Sequence, residues 1–303
     1  MNKVWLFACG EPLSIDGDNV RLHRGGKIAN YLNVNKNTAI DLFSSTFDHV
    51  SKQNRFLKTT QISIKNNFKL HLLKTIPYKK NISIMRLISN FVLGINLFFF
   101  LKKQNKKPDI IFVAFPPIET SLALLIYAKI NKIKIIVDVR DLWPEIFIDR
   151  YNKYKKFILS LFLTPYRIMT KFIFKNTNSL LSISEKMLTW SQEYSNRKKT
   201  EYDNFIPFSY IHVEDYEFIN TTKLKQLREK IENKFVISMI GNVTTTIGIK
   251  SIEDAAKRLS SQKDIFFLIC GAGDLLEDTK KITRILKIFF LQAGLIRMKF
   301  NLY

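Results

Sequence analysis

The run Ile133-Lys134-Ile135-Ile136-Val137-Asp138-Val139-Arg140-Asp141-Leu142-Trp143-Pro144-Glu145 decides how the chain is read. Its first seven residues are mostly β-branched and apolar, the composition of a strand buried on both faces. Charged groups then crowd the carboxyl end of that strand, where an open α/β sheet places its ligands. So much ionisable chemistry at one strand exit costs free energy unless something compensates it. Two readings follow: the charges serve a ligand, or Arg140 and Asp141 pair with each other while Trp143 fills the core.

Working outward, similar short apolar runs bounded by charged or turn residues fall at 4–9, 38–43, 109–114 and 179–183. Residues 19–32, 84–103, 119–130, 155–175 and 185–194 have helical spacing, with Glu119 and Glu185 near first turns, where a helix favours negative charge. Repeated strand-helix order predicts an α/β fold with a doubly wound parallel sheet. Residues 212–232 turn polar and charged, and the alternation then resumes with strands at 235–240 and 265–270 and helices at 249–259 and 275–286. The expected division is therefore a first domain over 1–211, a linker over 212–233 and a second domain over 234–303. A chain of 303 residues with 46% hydrophobic content is long enough for two such cores.

Lys and Arg total 48 against 26 Asp and Glu, a net charge of +22, which predicts an anionic neighbour unless the lysines merely reflect coding bias. Nucleic acid, acidic lipid and nucleotide phosphates all qualify on charge. The chain has no zinc spacing, aromatic-interleaved RNA signature or helix-turn-helix cue, so no nucleic-acid partner is expected. Cys9 and Cys270 are far apart, each at the end of an apolar run, and read as small buried hydrophobes with no metal or disulfide role. Residues 4–9 are too short for a secretory signal. The uncharged stretch 87–101 falls short of the ~20 apolar residues of a spanning helix, so none is expected.

The charged run resembles a signature of the retaining glycosyltransferases of family 4, in the branch that builds bacterial O-antigens and capsules. Further stretches are similar in the expected order: Thr46-Phe47-Asp48-His49 with Lys52 and Arg55, Pro108-Asp109-Ile110-Ile111, Phe115-Pro116-Pro117-Ile118-Glu119, and Ser182-Ile183-Ser184-Glu185-Lys186-Met187-Leu188. The resemblance implies the GT-B fold, two Rossmann-like domains facing each other across a cleft. It implies Arg140, Asp141 and Glu145 as the catalytic group. Glycosyl transfer develops a cation-like sugar carbon and an anionic leaving phosphate, so carboxylates belong near the sugar and donors near the phosphate. In retaining enzymes of this fold the leaving phosphate takes the acceptor proton, which leaves Asp141 a positioning or electrostatic role.

The loop after residues 4–9 offers His23, Arg24, Gly25 and Gly26 ahead of a helix, where glycines admit a ligand to the backbone and N–H groups attract anions. The resemblance makes it an acceptor or phosphate loop; a surface loop with incidental basic residues is the alternative. In the second domain, Gly241-Asn242 and Gly271-Ala272-Gly273 end successive strands and match donor-diphosphate turns, although either pair also serves as a plain turn. Relatives carry an Arg and a Lys after the first turn; here Lys250 is the one candidate. The implied donor is a nucleotide-sugar, a uridine diphosphate sugar, with no cofactor and no metal. The implied acceptor is a lipid-diphosphate-linked glycan.

The family's acidic Glu-x7-Glu motif does not follow Gly273, which predicts an incomplete second domain. Shifting the frame of the tail by two bases permits a translation containing a family-like Gly-Trp turn, so a frameshift is expected. Residues 84–103, with Phe98-Phe99-Phe100, and 155–175, with Phe157, Leu161, Ile168 and Phe172 beside Arg167, Lys171 and Lys175, are basic and amphipathic. Such helices either cover the sheet or lie in an anionic membrane surface. The expectation is a cytoplasmic enzyme, peripheral on the inner face of the bacterial membrane. The alternative is a truncated, inactive remnant that keeps acceptor or membrane binding.

Overall fold

The computed structural model describes residues 2–17, 20–36, 38–81, 83–147, 153–208, 216–218, 222–241, 243, 249–271, 273, 288–292 and 296–298. The chain divides into two compact units, 1–210 and 211–303.

In the first unit the order is β1 (Lys3–Phe7), α1 (Arg24–Asn35), β2 (Ala39–Ser45), β3 (Thr60–Lys65), β4 (Phe68–Leu73), α2 (Ile84–Lys102), β5 (Ile110–Phe115), α3 (Ile118–Asn131), β6 (Lys134–Val139), α4 (Lys153–Asn176), β7 (Ser179–Ser182), α5 (Glu185–Tyr194) and β8 (Asn204–Phe205). A 3₁₀ turn, Glu145–Phe147, follows β6. The eight strands form one sheet in the order β3-β4-β2-β1-β5-β6-β7-β8, and every pair is parallel except β3 with β4. Strand β1 pairs with β2 on one side and β5 on the other. The winding therefore reverses at β1/β5, and the crevice outside their carboxyl ends is where such a sheet receives ligands.

The apolar runs become central strands because both faces are covered. Trp5, Phe7, Ile111, Val113, Phe115, Val137 and Val139 pack in one core with Leu93, Leu97 and Leu101 of α2 and Leu124 and Leu125 of α3. Leu6, Ile40, Leu70 and Leu72 pack in a second core with Ala29 of α1. Strands β3 and β4 fall outside the apolar runs read from the sequence. The alternating Thr60–Lys65 half-buries one face as an edge strand, and Asn67 at φ 62° turns it into β4.

The second unit holds β9 (Tyr216–Phe218), α6 (Thr222–Ile231), β10 (Phe235–Ile240), α7 (Ile249–Arg258), β11 (Ile265–Gly271), β12 (Ile288–Gln292) and β13 (Ile296–Met298). Strands β10, β11 and β12 form a parallel sheet, and β13 pairs antiparallel with β9. The helix expected over 275–286 lies outside the described residues. The apolar tail, left without a strand in the sequence reading, supplies β12.

Candidate functional site

The carboxyl ends of β1 and β6 meet the start of α1 in a chain of alternating charges. Asp138, fully buried at the end of β6, takes Arg24 Nε at 2.8 Å and Nη2 at 3.0 Å, and Arg140 Nε at 2.7 Å. Arg140 Nη1 donates to Glu11 Oε1, and Glu11 Oε2 accepts the Gly25 N–H at 2.9 Å. Arg24 Nη1 also donates to the Ile206 carbonyl at 2.8 Å. Two guanidiniums and two carboxylates thus neutralise one another, and the Glu11 carboxylate occupies the helix N-terminus where an anion is favoured. Burial alone pulls the Arg140 pKa down, but Glu11 and Asp138 outweigh it and hold the group above its usual value. Gly25 is required here: a Cβ would lie 2.5 Å from Ala8 Cβ and 3.0 Å from Glu11 Oε2.

The expected catalytic trio is not one cluster. Arg140 pairs with Asp138 and Glu11. Asp141 is exposed and makes no ion pair among the described residues, and partial desolvation pushes its carboxyl up. Glu145 sits on the 3₁₀ turn and takes Arg167 Nε and Nη2 of α4, both at 2.8 Å, and the Tyr194 hydroxyl of α5 at 2.8 Å. Its pKa falls, first through Arg167 and then through Tyr194. Glu145 therefore braces the turn against two helices. Trp143 is buried in the main core, as the structural reading of the run expected, while Arg140 chooses Asp138 and Glu11 as partners.

His23 is the residue before α1; its side chain makes no capping bond, and burial of the ring lowers its pKa. Gly26 packs on Leu22. Arg55 clamps two loops together, with Nε and Nη2 each 2.6 Å from Asp16 and Nη2 3.1 Å from Asp48.

Beside these groups lies a cluster the sequence reading left unassigned in part. His49 Nδ1 and the Tyr78 hydroxyl are 2.6 Å apart, and Lys52 Nζ is 5.1 Å from the Tyr78 ring centre. Arg86 of α2 stacks 5.0 Å from the Trp143 ring centre and 6.0 Å from that of Tyr78. Burial first, then Lys52 and Arg86, pushes His49 down to about 4, so it is neutral at pH 7.

In the second unit, Gly241 directly follows β10 with φ 156° and donates its N–H to the Cys270 carbonyl at 2.9 Å. A Cβ on Gly271 would collide with the Gly241 carbonyl and one on Gly273 with the Val243 carbonyl, so close backbone approach at and just past the strand ends itself requires both glycines. Asn242 lies outside the described residues. Lys250 is exposed at the start of α7. Among the described residues no three His, Cys, Asp or Glu side chains gather as a metal site.

The signal for Glu11 and Asp138 was present in their place at strand ends. Arg86 gave none, because a basic residue in an apolar helix is indistinguishable from a surface charge until the helix is docked.

No protein-family model matches the chain, and no curated protein does. Solved structures do match in fold. HepE of Anabaena, in complex with UDP and glucose, matches with a TM-score of 0.56 at 12% identity over 96% of this chain and 69% of that one. An α,α-trehalose 6-phosphate synthase from Burkholderia multivorans gives 0.57 at 12% over 99% and 72%. WaaG, a glycosyltransferase involved in lipopolysaccharide biosynthesis, gives 0.53 at 11% over 96% and 70%. At such identities the likeness speaks for the fold, which is that of the GT-B glycosyltransferases, as the sequence resemblance implied.

Proposed function

We propose that the chain is a retaining glycosyltransferase of family 4. It moves a sugar from a uridine diphosphate sugar to a lipid-diphosphate-linked glycan in bacterial surface-polysaccharide assembly, of O-antigen or capsule. The observation that carries this is the concentration of charge at the carboxyl ends of β1 and β6, on either side of β5 and so beside the β1/β5 winding reversal, in a fold like that of structures such as the UDP-glucose complex of HepE. The bond from the sugar carbon to the donor phosphate breaks and the bond to the acceptor oxygen forms. The acceptor's proton passes to the leaving phosphate, so no protein base is needed. Asp141, without an ion pair among the described residues, supports positive charge at the sugar carbon. The glycine turns at Gly241, Asn242, Gly271 and Gly273, with Lys250, are the donor-diphosphate elements in this account.

The acceptor's lipid places the enzyme on the inner face of the cytoplasmic membrane. Support comes from the solvent sides of α2 and α4, which expose Ile84, Phe91 and Phe99, and Phe157, Leu161 and Phe162.

Incubating the full chain with a panel of nucleotide-sugars and a polyprenyl-diphosphate glycan, with the glycolipid read by mass, is the test. One sugar should be transferred, and Asp141→Asn should slow transfer by about a hundred-fold. No transfer together with no calorimetric binding of any nucleotide-sugar would sink the proposal. A second reading, an inactive relative that keeps acceptor or membrane binding, is favoured by one observation: Arg24 and Arg140 already have Asp138 and Glu11 as partners. Acceptor binding without donor binding would select it.

A further inference from the structure

The charges around Glu11 and Asp138 cancel; those around Tyr78 do not. Lys52 Nζ donates to the His49 carbonyl at 2.5 Å and to the Asn81 side-chain oxygen, and Arg86 Nη1 donates to the Asn81 carbonyl at 2.7 Å. All of these partners are neutral. Asp48 is an ion-pair partner of Arg55, which also holds Asp16. Among the described residues no carboxylate forms an ion pair with Lys52 or Arg86, and Arg86 Nε is buried without a hydrogen-bond partner. Desolvation and then the neighbouring Arg86 depress the Lys52 pKa, outweighing the opposite pull of Asp48. His49 is neutral and holds Tyr78 between them. The Tyr78 ring attracts each cation, but the two partly desolvated cations repel one another, and an anion with several acceptor oxygens would offset that repulsion.

We propose that Lys52 and Arg86, gathered at Tyr78, bind the diphosphate of a lipid-linked molecule. This rests on the transferase reading for the lipid's role as acceptor. The choice of a lipid over a free phosphate comes from α2 itself. The helix that carries Arg86 exposes Ile84, Met85 and Ile88 around it, so an apolar track begins within two residues of the cation. Asp141 feels both Arg86 and Arg140, which places it within electrostatic reach of a diphosphate held there.

Two calorimetric titrations of the full chain test the site: inorganic pyrophosphate, and a long-chain polyprenyl diphosphate in phosphatidylcholine vesicles. Lys52→Gln and Arg86→Gln should each weaken both by about ten-fold or more, Arg86→Lys should restore much of the affinity, and Lys69→Gln, exposed on β4, should leave it unchanged. Unchanged affinity in both Gln variants, with thermal melts showing them folded, would overturn the site. Should Arg86→Gln not fold, Lys52→Gln and Arg86→Lys carry the comparison. Equal affinity for the two probes would overturn the lipid assignment. Neither titration contains a nucleotide-sugar, so a wild type that binds diphosphate through Lys52 and Arg86 yet neither binds a nucleotide-sugar nor transfers sugar would refute the transferase reading while supporting the site.

Discussion

Glu119 stands in the first turn of α3, 7% exposed, with Tyr166 donating to Oε1 at 3.1 Å and Oε2 without a partner among the described residues. Burial pushes its pKa up to about 7 from the ordinary 4.5. A folded-state value above the unfolded one means that the folded state prefers the protonated acid. The resulting stability is fully present below about 4.5 and is lost as pH rises through about 7. Glu119→Gln keeps the shape and removes the titration. Its melting temperature should match the wild type at pH 5 and exceed it at pH 8, by an amount on the order of 2–3 kcal/mol of stability. Parallel melting curves at the two pH values would refute this. The sequence shows Glu119 only as a favourable first-turn charge, because burial by α2, with Gly94 against its backbone, comes from residues far away in the chain. Arg140 was legible as a charge at a strand exit for the opposite reason: that place is local information. Its partners Glu11 and Asp138, 129 and two residues away, had to be found in three dimensions.

At the scale of elements, α2 and α4 are each divided lengthwise. Leu93, Leu97 and Leu101 of α2 and Ile173 and Phe174 of α4 lie in the core, while the opposite sides are apolar and open, with Ile84 at 76% and Phe157 at 76% exposure. By length and composition Ile84–Lys102 and Phe157–Asn176 are apolar enough to cross a bilayer, although the sequence reading expected no such helix from the short uncharged run at 87–101. That count stopped at charged residues that sit at helix ends. A helix with one side in a domain core lies along a surface more readily than through it. Replacing Phe91 and Phe99, or Phe157 and Phe162, by Ser should therefore lower partition onto phosphatidylglycerol vesicles by about ten-fold per pair while leaving the melting temperature within a few degrees. Partition that ignores both pairs would assign these faces to another partner. The parallel strands were readable because burial on both faces writes itself as unbroken apolar runs. The β3–β4 hairpin was not, since its edge strand is half polar and its turn, Asn66-Asn67, lacks the usual glycine.

Over the whole molecule the basic surplus is uneven. Residues 1–210 hold 33 Lys and Arg against 15 Asp and Glu, and residues 211–303 hold 15 against 11. Lys and Arg are equally dense in the two units, 33 in 210 residues and 15 in 93, so the larger net surplus of the unit with the open apolar helices comes from its sparser Asp and Glu. Lys102 and Lys103 at the end of α2, Lys129 on α3, and Lys171 and Lys175 on α4 are all exposed on neighbouring helices. Near an anionic surface each such lysine adds about 1 kcal/mol of attraction, which falls off within a Debye length of about 10 Å at 0.1 M salt. Coding bias would spread lysines over both units and give each the same modest effect. Attraction to acidic lipid would instead concentrate the effect in the first unit. Lys102→Gln and Lys171→Gln should each weaken binding to phosphatidylglycerol vesicles by about five-fold at low salt, and the loss should shrink as salt rises. Lys257→Gln and Lys263→Gln, on the second unit, should change it by less than about two-fold. Cosedimentation across a salt series measures all four. Equal losses from both units would show that the charge acts only through the total, and would remove the electrostatic half of the membrane assignment.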